Sequence, residues 1–210
     1  MIRVAVLASG RGSNLQALLD AAAAGQIEAQ VTLVISDNPQ ARALERARRH
    51  GVEAVVVPRA AFPSREAMED HIAGLIEARN IDLIVLAGYM RLLGKKFVER
   101  FYGRIINIHP SLLPAFPGLE AQRQALEYGV KITGCTVHFV DAGMDTGPII
   151  LQAAVPVEEN DTVETLAARI LEQEHRLLPA AVQLFAAGRL VLEGRRVKIL
   201  TGAEGREAGR

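Results

Sequence analysis

A chain of 210 residues is long enough for one substantial domain, with little room for a second. Half of its residues are hydrophobic and its 24 basic side chains match 24 acidic ones, so the charge balance points to neither nucleic acid nor a membrane surface; small-molecule partners are expected. The one cysteine, Cys135, excludes an internal disulfide and a thiolate metal cluster, and the absence of a basic leader or a membrane-length apolar run makes the chain read as cytosolic.

Apolar runs then alternate with amphipathic ones. Strands are predicted at 2–8, 31–35, 53–57 and 81–87, and helices at 15–24, 41–50, 65–79 and 95–102. Gly25 and Gly51 close the first two helices, and Ser64 is a plausible N-cap for the third. Continuous Val/Ile/Leu strands in βα alternation predict a mainly parallel sheet covered by helices on both faces. Such sheets bind ligands beyond the carboxyl ends of their strands. After Gly118 comes a helical stretch at 119–128, then strand-like runs at 131–140 and 147–157. The linker 141–146 is too short for a crossover helix, so an antiparallel hairpin is expected at one side of the sheet. A long helix starts at Thr162, with a capping box read as Asp161 at the N-cap and Glu164 at N3. A weak strand or two follows at 190–200. Residues 1–200 are expected to form a single domain, and the polar tail 201–210 to be disordered.

The stretch 104–118 is the centre of the functional reading. Arg104 to His109 alternates polar and apolar residues, so Asn107 and His109 share one face at a strand's carboxyl end. Pro110 should stop the pairing, and three prolines in eight residues stiffen the loop beyond it. An amide donor beside an imidazole is either a satisfied strand-end pair or part of a site. The turn 9–14 is glycine-rich and opens a helix, an arrangement suited to an anion. A dinucleotide would want a third glycine where Leu15 stands, although Asp37 lies roughly where a ribose-binding acid would. Ser13 and Asn14 suit a single phosphate; a ligand-free turn capped by Ser13 is the plain alternative. The run 86–93 is apolar with one arginine, suiting either a pocket for a flat heterocycle with a carboxylate tail or simple packing onto the sheet. In the turn 141–147, Asp145 between Gly143 and Gly147 is the candidate carboxylate partner of His109. His138, inside its strand, reads as structural. On the long helix, Val163, Leu166, Ile170, Leu177 and Leu184 mark a buried stripe that Gln173 and Glu174 interrupt, and these need either backbone partners or the polar end of a ligand.

Taken together, residues 9–16, 87–91, 107–114 and 145–149 resemble the folate-dependent formyltransferase family, and within it the enzymes that formylate glycinamide ribonucleotide in purine biosynthesis. The likeness keeps the same order from about residue 2 to about residue 190, and Asn107-Ile108-His109-Pro110-Ser111-Leu112-Leu113-Pro114 with a downstream Asp145 is its most specific part. The resemblance implies a Rossmann-like α/β fold, mainly parallel with an antiparallel portion in the C-terminal half. It implies transfer of a formyl group from 10-formyltetrahydrofolate, as co-substrate and without a metal, to the amine of N1-(5-phosphoribosyl)glycinamide. Carried over residue by residue, Asn107, His109 and Asp145 would do the chemistry. Gly12, Ser13, Asn14, Gln173 and Glu174 would bind the ribonucleotide. Arg65, Met90, Arg91, Leu92 and Leu93 would contact the folate, with Asn107, Asp141, Ala142, Gly143, Met144 and Asp145. One departure is that some relatives carry histidines where this chain has Glu120 and Gln122.

Related activities fit less well. A tRNA formyltransferase should carry a further C-terminal domain with a basic surface, and a formyltetrahydrofolate hydrolase an N-terminal regulatory domain. A nicotinamide-dependent dehydrogenase is disfavoured by Leu15, and a non-catalytic nucleotide-binding module leaves Asn107, His109 and Asp145 unexplained. A monomer or homodimer without nucleic-acid or membrane partners is expected.

Overall fold

The computed structural model describes residues 1–201; the expected disordered tail therefore lies outside the described residues, apart from the exposed Thr201. Among the described residues seven strands compose the main sheet, in the order 53–56, 29–36, 2–7, 83–86, 105–109, 132–139 and 149–156, and two more, 190–193 and 196–199, form a separate pair. The chain divides into two compact units, Met1–Ile106 and Asn107 onward.

In the first unit, β1 (Ile2–Leu7), β2 (Ala29–Ser36), β3 (Glu53–Val56) and β4 (Leu83–Leu86) are parallel, connected through α1 (Ser13–Ala23), α2 (Arg42–Arg49) and α3 (Arg65–Ala78). Val6 and Leu7 of β1 and Leu83, Ile84 and Val85 of β4 are fully buried. That explains why these strands lack the alternation of a half-exposed sheet. Each such side chain contributes about 1.5–3 kcal/mol of hydrophobic stabilisation. Gly25 and Gly51 adopt positive φ just beyond α1 and α2, and the Ser64 side chain accepts from the Ala67 N–H at the start of α3, as the sequence predicts. The strand order grows outward from β1 to β3, then returns to β4 on the other side of β1. The turns leaving β1 and β4 are thus neighbours at a topological switch point, the usual ligand crevice of such sheets. A short helix, α4 (Lys95–Arg100), leads to β5 (Ile105–His109), which carries the chain into the second unit.

There, α5 (Ala121–Tyr128) precedes β6 (Ile132–Phe139) and β7 (Ile149–Pro156), which pair antiparallel as the short linker predicts. The long helix α6 (Val163–Ala186) packs on both, and β8 (Leu190–Glu193) with β9 (Arg196–Ile199) makes the final hairpin. Two details of α6 correct the sequence reading. The N-cap is Thr162, paired reciprocally with Thr165 at N3, rather than Asp161 with Glu164. Asp161 instead grips the Arg169 guanidinium with both carboxylate oxygens, so it is committed to an ion pair about two turns further on. The buried stripe runs through Leu166, Ile170, Glu174, Leu178, Ala181 and Val182, while Val163, Leu177 and Leu184 are only half-buried. A stripe repeating at 3.6 residues drifts round a 24-residue helix, so positions seven apart do not stay on one face. Among the described residues, no helix is long and apolar enough to cross a membrane.

Candidate functional site

In the first unit the turn after β1 is shaped by steric necessity. Gly12 has φ 71°, and a Cβ there would lie 2.7 Å from the Ala43 Cα on α2. The Ala43 N–H donates to the Gly10 carbonyl at 3.1 Å, which locks the two segments together. Gly12 itself is the N-cap of α1 and no side chain caps the helix, so the alternative of Ser13 as a cap is not what forms. Ser13 and Asn14 occupy the first two helical positions, at the positive end of the helix dipole.

Asp37, at the end of β2, is committed elsewhere than to a ribose. Its Oδ1 accepts from the Ser9 hydroxyl at 2.6 Å and its Oδ2 from Arg91 Nε at 2.6 Å. The Ser9 oxygen in turn accepts from the Met90 N–H at 2.9 Å. Burial, then the Asp37 charge, push the neighbouring Tyr89 phenol well above its usual range. Arg65, Met90, Arg91, Leu92 and Leu93, which the resemblance groups together, do line one cavity of about 300 Å³, joined by Arg59 and Tyr89. Packing onto the sheet accounts for Leu93, which is 4% exposed, but not for Met90 at 64% or Leu92 at 50%.

The second unit holds the titratable cluster. Asn107 and His109 do share a face of β5, because both reach Asp145: Asn107 Nδ2 lies 3.4 Å from Oδ1, and His109 Nδ1 lies 3.4 Å from Oδ2. The other imidazole nitrogen of His109, Nε2, donates to the Phe116 carbonyl at 2.8 Å. Both ring nitrogens therefore face oxygen atoms. Asp145 is held by the Gly118 N–H, 2.7 Å from Oδ2, and sits at φ 53°. The flanking glycines are required for it: a Cβ on Gly147 would meet the Phe139 carbonyl oxygen at 1.7 Å, and one on Gly143 the Thr146 hydroxyl at 2.0 Å. Asp141 has the local role common to turn acids, accepting from the Gly143 N–H and the Thr146 hydroxyl. The Arg195 guanidinium, in the β8–β9 turn, donates to the Thr146 carbonyl at 2.6 Å and braces the same loop.

His138, which reads as structural from the sequence, lies beside the cluster. Its Nδ1–H donates to the Phe139 carbonyl at 2.8 Å, so Nε2 is left as the acceptor for the Asn107 amide, 3.2 Å away. Burial lowers its pKa, an effect the Phe139 carbonyl and the Asp145 charge only partly offset. The signal was present: Thr136 and His138 are polar, two residues apart and on one face of a strand that is buried from Thr133 to Phe139. Thr136 donates to the Ser111 carbonyl and accepts from the Leu113 N–H and from Gln152 Nε2, so the segment after β5 is tied down by side chains as well as by prolines. On α6, Glu174 is 6% exposed and Gln173 half-buried. The Glu174 charge adds to burial in pushing the Cys135 thiol up to about 12.

A mainly parallel α/β sheet is a common scaffold of group-transfer enzymes, and an Asn–His–Asp cluster has side chains able to stabilise an oxyanion and move a proton. The formyl transferase family model matches residues 2–182, and the chain belongs to that family. Phosphoribosylglycinamide formyltransferase of Mycobacterium tuberculosis (strain CDC 1551 / Oshkosh) is 50% identical over 203 residues, covering 94% of each chain. The crystal structure of glycinamide ribonucleotide transformylase 1 from Symbiobacterium toebii is 62% identical, with a TM-score of 0.94, covering 96% of this chain and 95% of that one. The trifunctional purine biosynthetic protein adenosine-3 of Drosophila melanogaster is 50% identical over 188 residues, which is 89% of this chain but only 14% of that protein's length.

Proposed function

We propose that this chain is an enzyme that transfers the formyl group of 10-formyltetrahydrofolate to the amine of N1-(5-phosphoribosyl)glycinamide, a step of purine biosynthesis. The observation that carries the reading is the convergence of Asn107, His109 and His138 on the Asp145 carboxylate. Family membership and the similarity to phosphoribosylglycinamide formyltransferases support it. Gly12, Ser13 and Asn14 would hold the ribonucleotide phosphate on backbone N–H groups, with Gln173 and Glu174 toward its ribose and glycinamide end. For the folate, the fit lies in the cavity lined by Arg59, Arg65 and Arg91, which suits a carboxylate tail, and in the exposed Met90 and Leu92, which offer apolar surface to a flat ring system. The 141–145 loop would complete the folate contacts.

As co-substrate, 10-formyltetrahydrofolate would supply an activated formyl carbon. A new C–N bond forms to the amine, the bond to the folate nitrogen breaks, and one proton leaves the amine while one reaches the folate nitrogen. The Asn107 amide would exchange its long 3.4 Å contact with Asp145 for the developing oxyanion, while His138 Nε2 keeps the amide oriented. His109, held by Asp145, would add positive charge beside that oxygen and relay the proton. Nothing in this step requires a metal. The substrates are small molecules, the setting is cytoplasmic, and a monomer or homodimer suffices.

The test is a single-turnover formyl-transfer assay with phosphoribosylglycinamide, run against buffer, free glycine and tRNA. Transfer to the ribonucleotide alone is expected. Consumption of the donor in buffer would identify a hydrolase instead, and transfer to tRNA a different acceptor class.

A further inference from the structure

The buried carboxylate at the end of β2 has no part in the chemistry above, yet it organises three strand ends. Ser9 follows β1, Asp37 follows β2 and Arg91 follows β4. Each Asp37 oxygen takes one hydrogen bond of 2.6 Å, from Ser9 and from Arg91. The Asp37 side chain is 9% exposed and that of Arg91 39%, so the pair is anchored at the carboxylate and open at the guanidinium. Ser9 also fixes the backbone on both sides of Tyr89, donating its N–H to the Gly88 carbonyl at 3.0 Å and accepting from the Met90 N–H at 2.9 Å. Because the ion pair uses Nε, the planar guanidinium fork is oriented while both Nη groups keep hydrogens to donate, the geometry that recognises a carboxylate bidentately. Arg91 shares its cavity with Arg59, Arg65 and Glu69. Three guanidiniums line it with the one carboxylate of Glu69, and even with Asp37 counted as the partner of Arg91 a net positive charge is left for an anionic ligand group.

We propose that Asp37 and Ser9 are positioning residues that aim Arg91 at a carboxylate of the folate tail, an inference that rests on the folate reading of the 88–93 segment. Asp37→Asn keeps the volume and can still accept from Ser9, but turns an NH₂ group toward Arg91 Nε, donor against donor. The measurement is calorimetric binding of two unreactive folate analogues, one with its glutamate tail and one cut back to the benzoyl group, to the parent, Asp37→Asn, Arg91→Ala and the double variant.

Asp37→Asn should weaken the full-length analogue about tenfold, leave the truncated one within about twofold, and leave ribonucleotide affinity within about twofold. Arg91→Ala should lose a similar factor, and the double variant no more, since the carboxylate acts through the guanidinium. Equal weakening of both analogues, unchanged affinity, or additive losses in the double variant would overturn the proposal. A parent chain that bound neither analogue would instead sink the folate reading and the role built on it, an outcome plainly different from any pattern among the variants.

Discussion

Two half-buried aspartates, Asp37 and Asp145, sit in the loops after β2 and β6, and their partners distinguish them. Asp37 makes two bonds of 2.6 Å to a guanidinium and a hydroxyl, so both its oxygens are tightly held. Asp145 makes one tight bond, 2.7 Å to the Gly118 N–H, and reaches His109 and Asn107 at 3.4 Å and His138 at 3.8 Å. Strong, fully used bonds make a fixed brace. A carboxylate with one backbone anchor and several longer contacts to titratable or amide groups can exchange partners at small cost, which group transfer requires. The same residue type is thus structural in one unit and poised in the other, and the difference lies in its bond lengths and partners.

Breaking the poised carboxylate should have the largest effect. Asp145→Asn preserves volume and removes the charge, so the single-turnover transfer rate should fall about 10³-fold or more while thermal unfolding shifts little. His109→Asn should match it, and the double variant should be little worse than either, because the pair acts as a unit. A near-parental rate in Asp145→Asn would erase the distinction between the two acids.

The phosphate turn offers the next contrast. Ser13→Leu with Asn14→Leu should raise the KM for the ribonucleotide about 10–100-fold and leave that for the formyl donor nearly unchanged, as read from steady-state kinetics with each substrate varied. Equal rises for both would point to damage to the β1 end as a whole.

His138 sharpens the comparison through pH. Its pKa is lowered by burial, so on acidification below about 6.5 the unfolded chain takes up a proton that the folded chain does not. Stability should therefore fall as pH drops from 7 toward 5, and His138→Gln should show a shallower loss, by about 2–5 °C in Tm at the acid end of a thermal-melt series. Parallel curves for the two chains would remove His138 from the account.

The smallest effect is expected at the brace on the Asp145 loop. Arg195→Ala removes the 2.6 Å bond to the Thr146 carbonyl and should lower kcat about two- to fivefold, with little change in either KM. Arg195 lies beyond the residues that the family model matches, so even this modest effect would tie the β8–β9 hairpin to catalysis.

Local periodicity and short-range turn chemistry were legible in the sequence alone. Val/Ile/Leu runs in βα alternation gave the parallel half of the sheet, and the six-residue linker 141–146 forced the β6–β7 hairpin. The two-residue period of a strand put Asn107 and His109 on one face by local geometry alone. The glycines flanking Asp145 singled out the carboxylate that the structure sets 3.4 Å from His109, and the close approach they permit to Phe139 and Thr146 gives the reason. What remained hidden depended on groups far apart in sequence or on competition between neighbours. The Asp37–Arg91 ion pair spans 54 residues, and the contact of His138 with Asn107 spans 31. No local pattern encodes such pairs, because they exist only once the β-strands have taken their register. Asp161 and Thr162 are both competent caps by type. Only the arrival of Arg169 about two turns along α6 decided that the aspartate would serve the ion pair and the threonine the helix end.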